Sequence, residues 1–175
     1  ATRVAAIQTG EVDVVQRLTA EEAQGLLGLP NVKVVRYPTD RVFYIAFNNL
    51  TTGEGEPTED PLVRQAMNYA VDKELIIEAI YGGRAVALPG PLSPFNNFVN
   101  EDLEPYPYDP EQALALLEEA GWTDSDGDGV LDKGGQPLVF TIDTIERWRP
   151  LAEAVADQFR AIGVDASVRF WEYSV

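Results

Sequence analysis

The 175-residue sequence contains neither cysteine nor histidine. These residues therefore supply no thiol nucleophile, no Ser-His-Asp triad, no imidazole proton shuttle and no ordinary zinc site. Lack of cysteine fits a disulfide-free exported protein as well as a cytosolic one. Long apolar runs are missing too, since none approaches the roughly eighteen residues that mark a membrane-spanning helix. Basic residues are scarce: 13 Lys and Arg stand against 29 Asp and Glu, a net charge of −16. Such a surface repels phosphate backbones and anionic headgroups, which argues against nucleic acid as a partner. No basic segment followed by an apolar stretch opens the chain, so no signal peptide is visible. Ala1 to Ile7 reads as the interior of a helix without a start signal, so Ala1 is not expected to be the natural start.

What is present alternates between two periodicities. Ala1 to Thr9 reads as a helix stopped at Gly10, and Val12, Val14 and Val15 as a short strand. Thr19 followed by Glu21 and Glu22 is a helix start with acid in its first turn, and Pro30-Asn31 breaks that helix. Val32–Tyr37 and Val42–Asn48 alternate as strands, the second with Phe43, Ile45 and Phe47 on one face. Thr51 to Thr58 reads as a solvated loop. Asp60-Pro61 and Asp109-Pro110 are helix starts with an acceptor at the N-cap and proline in the first turn. Gln112 suits a capping box in the second of these. Asp72 caps a further helix that stops at Gly82-Gly83, and Pro89 to Asn97 is irregular. Leu138, Phe140 and Ile142 alternate as a strand, a helix opens at Pro150 and closes at Gly163, and Val164 to Phe170 is a last strand. Interleaved helices and strands define an α/β protein with a mixed sheet and flanking helices.

The order of these elements carries a resemblance. The stretch Pro61 to Gly83, with Arg64, Asn68, Asp72 and Lys73, closely resembles the helix pair of the oligopeptide/dipeptide-binding family of ABC-transporter solute-binding proteins. Gly10 to Val15, Phe47-Asn48, Tyr108 to Trp122, Ala161 to Asp165 and Trp171 to Tyr173 are similar to further landmarks, in the same order. The resemblance implies a periplasmic-binding-protein-like lobe. It assigns residues 1–37 to the end of a first lobe and residues 42–175 to a C-terminally truncated second, ligand-binding lobe. It also implies a receptor that captures peptides or similar small solutes and delivers them to the membrane subunits of an ABC importer. Such a receptor is periplasmic or extracellular, and membrane-associated if lipidated. Relatives are several hundred residues long, so an intact peptide site is not expected within these residues alone.

Candidate ligand contacts follow from site logic and the resemblance together. Ile145 to Pro150 joins a strand end to a helix start, where open α/β sheets bind ligands and a guanidinium favours a carboxylate. The resemblance implies that an Arg here grips a ligand's carboxylate. Both Arg147 and Arg149 suit the role, with Trp148 packing on the ligand; pairing of the arginines with surface acids is the plainer alternative. Asn96 and Asn97, in the proline-rich segment, are candidate hydrogen-bonding residues at the cleft, against an ordinary surface loop.

Asp124, Asp126, Asp128, the Val130 carbonyl and Asp132 match the opening spacing of a calcium loop. The last position, however, holds Gly135 in place of the bidentate glutamate, and no helix follows. A structural calcium ion and a plain Asp-Gly turn into a hairpin both remain open. Three classes of function compete: the transport receptor, a calcium-stabilised extracellular structural or adhesion module, and a carboxylate-pair hydrolase. The last is weakest, because no acid pair sits in a catalytic context, so an enzyme is not expected. Strands at 12–15 and 32–37 have open edges if their sheet partners lie elsewhere, and a homodimer through them is a further expectation.

Overall fold

The structure, a computed structural model, describes residues 2–48 and 56–172. Three helix starts are set by aspartate side chains. Asp60 Oδ1 accepts the Leu62 amide at 2.9 Å and opens a helix at Pro61–Tyr69. Asp72 Oδ1 accepts the Leu75 amide at 2.8 Å ahead of Lys73–Tyr81, and Asp109 Oδ1 accepts the Gln112 amide at 2.9 Å ahead of Pro110–Glu119. Each carboxylate satisfies an amide that a helix start leaves without an internal partner. We number the helices α1 (Thr2–Thr9), α2 (Ala20–Leu26), α3 (Pro61–Tyr69), α4 (Lys73–Tyr81), α5 (Pro110–Glu119) and α6 (Arg149–Ala161). Short 3-10 turns occupy Pro57–Glu59 and Glu146–Trp148.

The reciprocal half of the expected capping box at Asp109 is replaced by a tertiary bond. The Asp109 amide donates to the Tyr69 carbonyl at 2.9 Å, which ties the start of α5 to the end of α3. The complete box forms at Thr19 instead, where Glu22 accepts the Thr19 amide and Thr19 Oγ1 accepts the Glu22 amide. Helix α2 ends at Leu26, short of Pro30.

Four strands form among the described residues: β1 (Asp132–Lys133), β2 (Gln136–Pro137), β3 (Val139–Ile145) and β4 (Asp165–Trp171). β1 and β2 make an antiparallel hairpin, and β3 and β4 pair in parallel with Val139 opposite Asp165 and Ile145 opposite Trp171. Helix α6 supplies the connection that a parallel pair requires. The α/β class therefore stands, with the parallel pair and the hairpin as separate two-stranded sheets. Phe140, Ile142, Ala166 and Val168 turn toward α6, where Phe140 meets Phe159 at 6.3 Å between ring centroids. The alternate residues Thr141, Asp143, Ser167, Arg169 and Trp171 stay on the open face.

The strands expected at 12–15, 32–37 and 42–48 do not form. A strand exists only through a partner's backbone, and the strands formed among the described residues include none of these segments. Among the described residues, every buried hydrophobic residue except Leu26 lies between Val63 and Ala166. Leu117 and Leu138 are completely enclosed there, each burial contributing roughly 2 kcal/mol. The Asp-Gly loop is pinned to this core through Gly163. Its φ is +81°, and a Cβ there would lie 2.9 Å from Leu131 Cγ, so only glycine fits. The Leu131 amide donates to the Gly163 carbonyl at 2.7 Å.

Candidate functional site

The carboxyl end of β3 runs into the Glu146–Trp148 turn and the first turn of α6, and here the two candidate arginines part ways. Arg149 is closed on its own helix start: Nε and Nη2 donate to the two Glu146 carboxylate oxygens at 2.8 and 2.6 Å. Glu153 stands 3.8 Å away, and the guanidinium lies 3.4 Å over the Phe170 ring. This fork holds the Glu146 carboxyl below the usual glutamate range and raises Arg149. Arg147, one turn position earlier, is exposed and lies over Trp148 at 4.9 Å. Among the described residues it has no carboxylate within ion-pair distance, so its donors are available.

Trp148 is wedged by aromatic contacts. Its ring meets Phe43 at 4.6 Å, and Phe43 in turn stacks on Tyr81 at 6.0 Å. Half-burial pushes the Tyr81 phenol above its ordinary range. A cleft of about 930 Å³ opens beside this cluster, lined by residues 42–48 and by β3. Its walls include Phe43, Ile45 and Phe47 on one side and Phe140, Ile142 and Asp143 on the other.

At the rim of that cleft Asp143 organises two neighbours on β4. Its oxygens accept Arg169 Nε at 2.5 Å and Nη2 at 2.8 Å, and Oδ1 also accepts the Trp171 indole N–H at 2.8 Å. The Arg169 bonds are the main reason that the Asp143 carboxyl sits below its usual range. Trp171 is thereby held with its ring exposed and the Arg169 guanidinium 5.1 Å from it. Sequence reading missed Phe43 and Tyr81 as site residues, and Asp143 and Arg169 as partners of Trp171, which it gave only as a landmark at a strand end. Strand alternation puts the last three on polar faces, but their pairing depends on the β3–β4 register, which no local signal encodes.

The other candidates lie elsewhere. Asn96 locks its own loop, its Oδ1 accepting the Ser93 amide at 2.8 Å while its amide donates to the Ser93 carbonyl at 3.0 Å. Asn97 is exposed, and neither asparagine lines the cleft. In the acidic loop, Asp124, Asp126 and Asp128 bring one oxygen each within 4.8 Å of one another. Asp132 is turned away from them, accepting the Ser125 amide at 3.0 Å, the Ser125 hydroxyl at 2.6 Å and the Gly135 amide at 3.3 Å. The Val130 amide is given to Asp128 Oδ1 at 2.8 Å. Tyr173 and residues 51–55 of the expected loop lie outside the described residues.

A parallel β-α-β unit with exposed cationic and aromatic groups at the strands' carboxyl ends has the arrangement at which open α/β sheets bind their ligands. The comparison with known families agrees: residues 1–174 match the model for bacterial extracellular solute-binding proteins, family 5, middle region, and the chain belongs to that family. It is 40% identical over 121 residues to heme-binding protein A of Haemophilus influenzae, covering 69% of this chain and 21% of that protein. It is 34% identical to the nickel-binding periplasmic protein of Escherichia coli, covering 95% of this chain and 32% of that protein. Among solved structures, the oligopeptide-binding protein AppA of Bacillus subtilis in complex with a nonapeptide superposes with a TM-score of 0.81 at 28% identity. That match covers 98% of this chain and 34% of AppA. The chain thus spans between about a fifth and a third of the length of these relatives.

Proposed function

We propose that the whole protein is an extracytoplasmic receptor that captures peptides or similar small solutes and passes them to the membrane subunits of an ABC importer. Family membership favours this reading over a calcium-stabilised adhesion module, and the family is one of binding proteins rather than enzymes. A periplasmic or cell-surface location, with lipid attachment in the second case, belongs to the same proposal. So does the division into a first-lobe end at 1–37 and a second lobe from 42 onward, which the concentration of buried residues after Val63 supports.

The observation that carries the ligand assignment is the contrast between two arginines. Arg149 spends both faces of its fork on Glu146, whereas Arg147 stands exposed beside Trp148 at the strand end. Arg147 is the contact for a ligand carboxylate, Trp148 packs against the ligand, and Arg149 sets the start of α6. In the whole receptor, Arg147→Ala is expected to weaken a free-acid peptide by roughly 2 kcal/mol, as loss of a charge-assisted bond does, or about thirtyfold. The same variant leaves a C-terminally amidated peptide nearly unaffected, and Arg149→Ala changes stability more than affinity. Calorimetry in which Arg147→Ala binds both peptides as the parent does would remove Arg147 from the site. Failure of the parent to bind any peptide would instead overturn the cargo assignment. A structural cation on Asp124, Asp126 and Asp128 is a second, smaller proposal, supported by the approach of the three carboxylates.

A further inference from the structure

The turn that carries Arg147 and Trp148 does not by itself orient their side chains. The fork from Arg149 to Glu146 closes the turn around them but ends on the Glu146 carboxylate. Trp148 occupies the N-cap position of α6 without a side-chain capping bond. Arg147 is exposed, and its guanidinium lies over the Trp148 ring at 4.9 Å. A cation held on a ring face goes where the ring goes, so the direction of the Arg147 donors follows the rotamer of Trp148.

The contacts that set this rotamer come from outside the turn. The Trp148 ring meets Phe43 at 4.6 Å with an interplanar angle of 60°, and Phe43 stacks on Tyr81 at 6.0 Å and 25°. Both pairs fall within the centroid range at which aromatic rings attract one another. Tyr81 is a firm base for the stack. It ends α4 beside Gly82, whose left-handed conformation closes the helix, and it packs against the hydrophobic core. A chain of ring contacts thus runs from the core edge through Tyr81, Phe43 and Trp148 to the Arg147 guanidinium. Phe43 itself is 42% exposed, so its removal disturbs the orientation of its neighbours more than the fold.

We propose that Phe43 is a positioning residue of the ligand site: stacked between Tyr81 and Trp148, it holds the indole that aims Arg147 at a ligand carboxylate. The role assigned to Phe43 rests on the reading of Arg147 and Trp148 as ligand contacts. It adds preorganisation to that reading, since a guanidinium already aimed is not left to be ordered when the ligand arrives. Phe43 and Trp148 both line the cleft, so direct packing of Phe43 on the ligand is the competing role. The two differ in what they discriminate. A ring that touches the ligand serves a free acid and an amide alike, whereas a ring that aims Arg147 favours the acid.

The test uses the whole receptor and two peptides of one sequence, one a free acid and the other C-terminally amidated. Phe43→Ala should lower the parent's preference for the acid about two- to fivefold, the scale of an exposed cation–π contact. Phe43→Tyr, which keeps the ring, should restore the preference; Phe43→Leu, which keeps only apolar bulk, should not. In an Arg147→Ala background, Phe43→Ala should change the preference no further, because its effect passes through Arg147. Equal weakening of both peptides by Phe43→Ala would place Phe43 against the ligand and overturn the proposal. A second readout needs no ligand. In the selectively labelled receptor, the Trp148 ring current should displace the Arg147 side-chain proton signals, and Phe43→Ala should abolish most of that displacement. Signals unchanged by the substitution would overturn the proposal whether or not a peptide binds. If the parent binds neither peptide, the cargo assignment fails, and the Arg147 signals alone decide the role of Phe43. If Phe43→Ala does not fold, Phe43→Leu decides by the same two readouts, and parent-like behaviour in both overturns the proposal.

Discussion

Residues 2–37 and residues 56–172 use the same local chemistry with different results. Both start helices with side-chain caps, and the box at Thr19 and Glu22 is the more complete of them. Yet α1 buries no residue and α2 buries only Leu26, while α3, α5 and α6 share one core. The first region touches the rest through slight contacts, such as Arg84 Nη2 to Gln24 Oε1 at 3.4 Å and the approach of Gly82 to Ala20. Capping decides where a helix begins; an apolar face with something to press against decides whether it is stable.

The largest expected effect separates the regions by burial. Leu117→Ala removes a fully enclosed side chain between α3 and α5 and should cost about 2–5 kcal/mol. Val14→Ala, at a valine 82% exposed, should stay within about 0.5 kcal/mol. Equilibrium urea unfolding measures both. Similar losses at the two sites would mean that the N-terminal segment packs in solution in a way this structure does not contain.

Caps sharpen the comparison at a smaller scale. Asp109→Ala should lower global stability by about 1 kcal/mol, because α5 is part of the core. Thr19→Ala removes an equally well-formed cap, but its loss should appear as faster amide exchange across α2 with the global transition unmoved. A global shift from Thr19→Ala as large as that from Asp109→Ala would merge the two regions into one cooperative unit.

These helix starts were legible in the sequence because a cap is a contact across three residues. Asp60, Asp72 and Asp109 each do what their spacing implies, and Gly82 ends α4 in the left-handed conformation expected of it. Strands were half legible. The alternation of Leu138 to Ile142 and of Val164 to Phe170 found a partner in each other; the same pattern at Val42–Asn48 forms no strand among the described residues. Alternation reports a surface able to pair, and pairing itself is a long-range fact. The site shows the same division. The sequence marked the turn at 145–150 as a candidate and left Arg147 and Arg149 equivalent. What distinguishes them is the rotamer that closes Arg149 on Glu146, together with Phe43 brought from a hundred residues away onto Trp148.

Acid sensitivity should also divide the molecule. Asp143, held low chiefly by its Arg169 bonds, and Glu146, held low chiefly by Arg149, both belong to the larger region. Glu22, lowered chiefly by the Thr19 amide, belongs to the smaller one. A carboxyl whose folded pKa lies below its unfolded value contributes stability above the unfolded value, near about 4. That contribution disappears as the pH falls through the folded value. Asp143→Asn should therefore flatten the loss of global stability below about pH 4, by less than the effect of a cap, while Glu22→Gln alters only α2 helicity. Stability followed by circular dichroism from neutral to acid pH measures both, and an unchanged acid limb in Asp143→Asn would show that its pair with Arg169 is fully exchanged for water.

The smallest expected effect concerns the loop that fastens the hairpin to the core. Without a cation, its carboxylates are already occupied by amides: Asp124 accepts those of Gly127 and Gly129 at 2.7 and 3.1 Å, and Asp128 that of Val130. These bonds make a self-sufficient turn, and the diversion of Asp132 to Ser125 removes one ligand of the spacing's expected set. Any ion on Asp124, Asp126 and Asp128 is thus held by few protein oxygens and binds weakly. With calcium at a concentration equal to its dissociation constant, the gain is about 0.4 kcal/mol, or about 1–2 °C in Tm for a domain of this size. Asp126→Ala should abolish that rise, because Asp126 holds only the Asp128 amide, at 3.3 Å, and little of the turn depends on it. Asp132→Ala should preserve the calcium response while lowering the starting Tm, since Asp132 serves the turn and not the cluster. Melting curves that coincide with calcium and with chelator would leave the loop as a hydrogen-bonded turn. A response lost equally in both variants would show that Asp132 swings back to join the ion.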